Sequence, residues 1–221
     1  LGVHAAARAA ADTNMLVPGS AAWNTAYERA ISNGIDVFAG GAGNKDTIDY
    51  ITIASAGNAT DFGDLLAGNR NFMSTSSHTR GLFAGGYSPD NSNVISYITI
   101  ASAGNATDFG DLTRLRYQGG ACADATRGLM GGGWDGGTRV NIIDYITIQT
   151  LGNALDFGDL TVIVNGGVGA CADATRGVFA GGFSGSNINV ISYVTIQTLG
   201  NAADFGDLTA GKNGLGGLAG S

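Results

Sequence analysis

The sequence predicts an all-β array of repeated four-stranded units, and three observations predict it. The letters Asp61-Phe62-Gly63-Asp64-Leu65 return at Asp108, Asp156 and Asp204, at spacings of 47, 48 and 48 residues. A period in that range marks stacked supersecondary units. Around the marker every copy keeps one order: a short apolar run ending in a glycine pair, a variable polar loop, a tyrosine-bearing run such as Val94-Ile95-Ser96-Tyr97-Ile98-Thr99-Ile100, then Gly-Asn-Ala and the marker. Runs rich in β-branched and aromatic residues between glycines read as strands. Four strands in a unit of nearly fifty residues is the blade arithmetic of a β-propeller.

The chain reads as a single repeat domain over 1–221, divided into 1–37, 38–79, 80–126, 127–175 and 176–221. The first stretch is irregular. Its alanine-rich opening, residues 5–11, suits a short helix. Counted back one period, residues 11–16 fall under the marker, so the stretch also fits a worn N-terminal unit, as array ends are often atypical. Both readings stay open.

In each clear copy the first strand ends at the glycine pair, Gly40-Gly41, Gly85-Gly86, Gly132-Gly133 or Gly181-Gly182. Glycine there permits positive φ or a close backbone approach. The second strand carries Tyr50, Tyr97, Tyr145 or Tyr193 and is apolar or small on both faces, the pattern of a strand covered on two sides. In a serial array the cover is the neighbouring repeats. The third segment anchors on Phe62, Phe109, Phe157 and Phe205, each followed by a leucine three residues on. Burying each phenylalanine contributes about 1.5–3 kcal/mol. The fourth segment, including 117–123 and 162–172, is small and apolar and leads through Thr-Arg-Gly into the next copy. With a worn unit at the start, the count favours a propeller of five blades, one incomplete. Four blades with an N-terminal arm and an open β-solenoid are the alternatives.

Composition narrows the function classes. Glycine numbers 38 of 221 residues and proline 2, with no three-residue period, which excludes collagen and proline-rich linkers. A formal charge of −7 repels a phosphate backbone, so nucleic acid is not an expected partner. No apolar run is long enough for a membrane-spanning helix. The start lacks the basic-then-apolar pattern of a secretory leader and lacks methionine, which suggests a processed chain or part of a longer product. Cys122 and Cys171 fall at equivalent points of successive copies, about 10 Å apart if the sheets stack, too far for a disulfide.

Chemistry-bearing motifs are few. The aspartate pairs of the marker have the oxygens for calcium, but an aspartate beside glycine is a turn former bonding local amides, and that reading is favoured. The glycine pairs precede no Gly-Lys-Ser/Thr, so no phosphate loop is expected. Asn58-Ala59-Thr60 and Asn105-Ala106-Thr107 match the glycosylation acceptor pattern as by-products of the repeat. Arg80, Arg127 and Arg176 recur before the first strand and are expected to bond carbonyls or an aspartate of the adjacent unit. His4 and His78 share no repeat position, and neither a metal cluster nor a nucleophile with its base is recognisable. No catalytic residue, metal or cofactor is therefore expected.

The loop after the glycine pair varies most. Its candidate partner-binding residues are Tyr87, Asp90 and Asn91, Trp134 and Asp135, and Phe183, Ser184 and Asn187. Aromatic faces beside polar groups suit a sugar or another surface. The competing reading, which is favoured, has the three aromatics wedged between blades.

The order of glycine pair, variable loop, tyrosine strand and aromatic-leucine segment resembles the kelch repeat, with phenylalanine where kelch units carry a third-strand tryptophan. The Tyr-Ile-Thr-Ile, Gly-Asn-Ala and Asp-Phe-Gly-Asp-Leu wording over 34–208 is similar to tandem repeats in virion structural proteins of tailed phages of marine cyanobacteria. That resemblance implies a non-enzymatic virion component, in a fibre, tail or surface decoration, whose partners are other virion proteins. A lectin-like propeller binding a surface glycan for host attachment is the alternative.

Overall fold

Fifteen strands form among the described residues, which are 34–219 of this computed structural model. The stretch expected to be a worn unit or a helix, 1–37, lies outside the described residues except at its last four positions. Residues 34–36 and 51–58 belong to a compact unit separate from that of 37–50 and 59–219, and the packing below is that of the larger one.

Strands β1 (Ile35–Ala39), β2 (Thr47–Thr52) and β3 (Thr60–Asp64) make a three-stranded sheet in that order. The second sheet orders β4 (Met73–Ser76), β5 (Arg80–Ala84), β6 (Val94–Thr99) and β7 (Thr107–Asp111). The third orders β8 (Gly120–Ala123), β9 (Arg127–Gly131), β10 (Val140–Thr147) and β11 (Leu155–Val164). The fourth orders β12 (Gly169–Ala172), β13 (Arg176–Ala180), β14 (Val190–Thr195) and β15 (Ala203–Asp207). All the resolved pairings are antiparallel between chain neighbours, unlike the parallel coils of a β-solenoid. Four sheets, not five, are filled by these strands.

Two details depart from the expected segments. The small-residue strand pairs forward, so that β4, β8 and β12 join the sheet after the Thr-Arg-Gly link. Val162 to Val164 continue the third strand instead of opening the fourth, because Val164 pairs with Val140 and extends β11 to ten residues. The second sheet has no such β-branched run after its marker; Arg114, Leu115 and Arg116 stand there.

Asp-Phe-Gly is a bulge inside a strand, not a turn. Opposite it the register skips one residue: Ile95 faces Gly110 and Ser96 faces Asp108, which leaves Phe109 extra. The aspartate does bond a local amide, as Asp61 Oδ1 accepts from Gly63 N at 3.2 Å and Asp156 Oδ1 from Gly158 N at 3.2 Å. The bulge turns Phe62, Phe109 and Phe157 inward, where each is at most 4% exposed. Phe205 breaks the expected set of four anchors at 53% exposure.

The core lies between consecutive sheets. Leu82, Ile95, Phe109 and Leu112 of the second sheet pack with Met130, Ile146, Ile148 and Ala154 of the third. Leu129, Ile143, Phe157 and Leu160 pack in turn with Phe179, Val194 and Ile196 of the fourth. Both faces of the tyrosine strand are covered, since Ile95 and Ser96, adjacent and opposite-facing, are buried together.

One set of backbone bonds repeats at each join. Gly104 N and Ala106 N donate to Phe62 O and Asp64 O, Gly152 N and Ala154 N to Phe109 O and Asp111 O, and Gly200 N and Ala202 N to Phe157 O and Asp159 O. Beside them Asp64 N, Asp111 N and Asp159 N donate at 3.0 Å to the Oδ1 of Asn105, Asn153 and Asn201. The Gly-Asn-Ala triplet is thus a clasp on the preceding sheet. Close approach explains the marker glycine: a β-carbon on Gly110 would lie 2.5 Å from the carbonyl of Gly152.

Candidate functional site

The variable loops follow directly from the glycine pairs, whose first members all have φ between 64° and 69°. At Gly85 no other residue fits, since a β-carbon would stand 2.2 Å from Arg116 O. The second glycine of each pair bonds the segment that follows its own sheet, Gly86 N to Arg116 O, Gly133 N to Val164 O and Gly182 N to Lys212 O, while short backbone bridges tie the loop to the segment that precedes it: Arg70 with Tyr87, Tyr117 with Trp134, Asn165 with Phe183.

These bridges bring the three predicted aromatics into one ridge with residues the sequence did not single out. The Arg70 guanidinium lies 4.9 Å over the Tyr87 ring, and Tyr87 meets Tyr117 edge-on at 5.6 Å. Arg139 serves two sheets, 5.5 Å from the Trp134 ring centre and 4.8 Å from that of Phe183, while its Nε donates to Asn165 Oδ1 at 3.0 Å. All are half-buried. Guanidinium over ring contributes about 0.5–1 kcal/mol at such partly exposed positions. Tyr87 also reaches the segment beyond its sheet, through Tyr117, and all three aromatics stay partly in solvent.

The polar candidates divide. Asp135 is fixed: it accepts from Gly137 N and Thr138 N at 2.9 and 2.8 Å and pairs with Arg114 at 3.2 Å. The Thr138 and Gly137 amides, with a smaller contribution from Arg114, hold its carboxyl below the usual range. Asn91 pairs with Tyr87 and lies beside Gly136. Asn187 pairs with Phe183, and Ser184 N donates to Ser186 O at 2.9 Å. Asp90 is exposed, its carbonyl accepting from Ser88 N.

The recurring arginines are structural. Arg80 Nη1 and Arg127 Nη1 donate to Ile148 O and Ile196 O of the next sheet at 2.7 and 2.8 Å. Each also lies over its own sheet's tyrosine, Tyr97 at 4.5 Å and Tyr145 at 4.6 Å, whose edge meets Phe109 or Phe157. Arginine, tyrosine and phenylalanine therefore form one stack running into the core.

Sequence reasoning missed a buried ion pair. Arg116 Nη2 lies 3.0 Å from Asp144 Oδ2, with both side chains fully buried. Arg116 also donates to Ile142 O and Met130 O, and Asp144 accepts from Thr113 N and Oγ1. Burial pulls the Arg116 guanidinium down from its usual range, and Asp144 opposes the shift. The available signal was Asp144 in a strand where two copies carry serine.

Cys122 is buried and Cys171 half-buried, both as free thiols. Burial pushes the Cys122 thiol up to about 12. Among the described residues no group of three or more His, Cys, Asp or Glu is placed to hold a metal ion, and no helix is long and apolar enough to cross a membrane. Comparison of the chain with family models and with curated proteins finds no match.

Proposed function

We propose that this chain is a non-enzymatic structural module of a phage particle, in a fibre, tail or surface decoration, built as a rigid row of propeller-type blades. The observation that carries the reading is the identical clasp at three successive joins, with backbone, asparagine and phenylalanine in the same places. A scaffold repeating one join holds its loops at fixed spacing, which suits contacts to other virion proteins. Many of the recurring polar groups serve the scaffold: Arg80 and Arg127 bond carbonyls and lie over tyrosines, and Asp61, Asp156 and Asp204 accept from local amides. The resemblance of the repeat wording to virion proteins supplies the particle context. Mass spectrometry of purified particles tests it. Recovery of the chain in fixed stoichiometry supports the reading, and its absence from particles of an infection that expresses it contradicts it.

A second reading, a lectin-like propeller, draws on the ridge of Tyr87, Trp134 and Phe183 with amides alongside. Arg139 already lies over two of those rings, which leaves less aromatic face for a sugar. A glycan array decides: specific binding abolished by both Tyr87→Ala and Trp134→Ala favours the lectin, and no binding removes it.

A further inference from the structure

Each of the first three sheets presents the same surface to its successor, and each successor answers with the same segment. The presenting surface holds the bulged phenylalanine, the carbonyl and amide of the marker's second aspartate and, in the second and third sheets, the arginine over tyrosine. The answering segment holds an isoleucine carbonyl, the asparagine Oδ1 and the alanine amide. Where the join is covered, Ile148 and Ile196 are 0% exposed and Ala106 and Ala154 at most 6%.

The fourth sheet carries the complete presenting surface, and among the described residues no segment covers it. Phe205 stands out at 53% exposure while still meeting Tyr193 edge-on, so its own sheet is formed. Arg176 lies 4.9 Å over Tyr193, as its counterparts do, but is exposed, and among the described residues no carbonyl of a following sheet receives it. A β-carbon on Gly206 would meet nothing within 4 Å, where its three counterparts would strike the next backbone at 2.5 Å. The answering segment is equally bare at residues 53–59. Ile53 is 61% exposed and Ala59 is exposed, where their counterparts Ile148 and Ala154 are buried.

We propose that the face of Phe205, Asp207 and Arg176 is an interface for a second copy of this chain, whose residues 53–59 cover it as 148–154 and 196–202 cover the sheets before them. The occupant is argued from the joins already inside the molecule. Asn58 Oδ1 of the second copy accepts from Asp207 N, the amide of Ala59 donates to Asp207 O, and the carbonyl of Ile53 accepts from Arg176. Presenting and answering surfaces differ, so the contact is head-to-tail, and it propagates into a row or closes into a ring of several chains. The inference stands on repeat packing and not on the particle reading.

Two exposed substitutions separate the surfaces. Phe205→Asp disables the presenting face and Ala59→Arg the answering segment, and circular dichroism checks that both variants keep the wild-type strand signal. Sedimentation of the full chain is expected to show concentration-dependent association, weakened about tenfold or more in either variant. An equal mixture of the two variants is expected to restore pairing through the one intact join and to stop at dimers. A wild-type chain that stays single at its highest soluble concentration overturns the proposal. So does an Asn58→Cys, Asp207→Cys double variant that cross-links within a single chain. Association unchanged in both variants overturns it as well, by locating the contact elsewhere.

Discussion

The join between the second and third sheets and the join between the third and fourth fill the same seat with opposite chemistry. In the first, Arg116 enters the third sheet and meets Asp144, with Thr113 on the same carboxylate. In the second, the equivalent positions are Val164, buried against the Gly182 backbone, and Ser192, whose hydroxyl lies 2.6 Å from Thr161 Oγ1. The clasp around both seats is unchanged. A buried ion pair gains little over well-packed apolar groups because desolvation offsets the attraction. The pair gives a physical basis for selectivity between neighbours: Asp144 set against a valine would keep its threonine bonds but lose its counter-ion while still buried.

The comparison breaks most visibly when one partner is removed. Asp144→Ala strands the Arg116 guanidinium and is expected to cost about 3–5 kcal/mol in denaturant unfolding. Ser192→Ala, at the equivalent place, is expected to cost about 1 kcal/mol. Equal losses would mean that the ion pair is not buried as described. A second contrast sets a covered anchor against a bare one. Phe157→Ala is expected to cost about 3–5 kcal/mol. Phe205→Ala in dilute solution is expected to stay within about 0.5 kcal/mol, as exposed substitutions usually do. Copying the apolar seat by Arg116→Val with Asp144→Ser is expected to leave stability unchanged or raise it by about 1–4 kcal/mol. A loss as large as that of Asp144→Ala would give the pair a stabilising role.

The smallest effect concerns Cys122. Its folded value of about 12 lies above the usual 9.0, so the stability held by the buried neutral thiol is complete below pH 9 and is lost as pH rises through 12. At neutral pH that predicts no pH dependence from this group, and thiol labelling of Cys122 far slower than of half-buried Cys171. Equal labelling rates would place Cys122 at the surface.

Much of the fold was legible because it is written as a period. Strand positions, glycine pairs and the covered tyrosine strand follow from spacing and from the absence of a polar face at Ile95 and Ser96. Other features depend on which residues meet across a join, and a linear pattern does not carry that. Asp-Phe-Gly looks like a turn until Ser96 is seen facing Asp108 with Phe109 left over. Asn105 looks like a turn residue until Asp64 N is found on its side chain. Phe205 has the same letters around it as Phe157, and only the bare surface tells them apart. At the candidate site, Tyr87, Trp134 and Phe183 were readable as a variable set. Their tail partners Arg70, Tyr117 and Asn165 were not, because the tail that brings them close keeps a backbone position, left-handed at Asn71, Gln118 and Gly166, and not a residue type.

The clasp holds successive sheets together, and residue-resolved amide hydrogen exchange tests it most directly. Gly152, Ala154, Gly200 and Ala202 lie in or beside exposed loops, yet their amides are predicted to exchange as slowly as those of the central strands β6 and β10. Exchange at free-loop rates would contradict it and leave the sheets without the join described here.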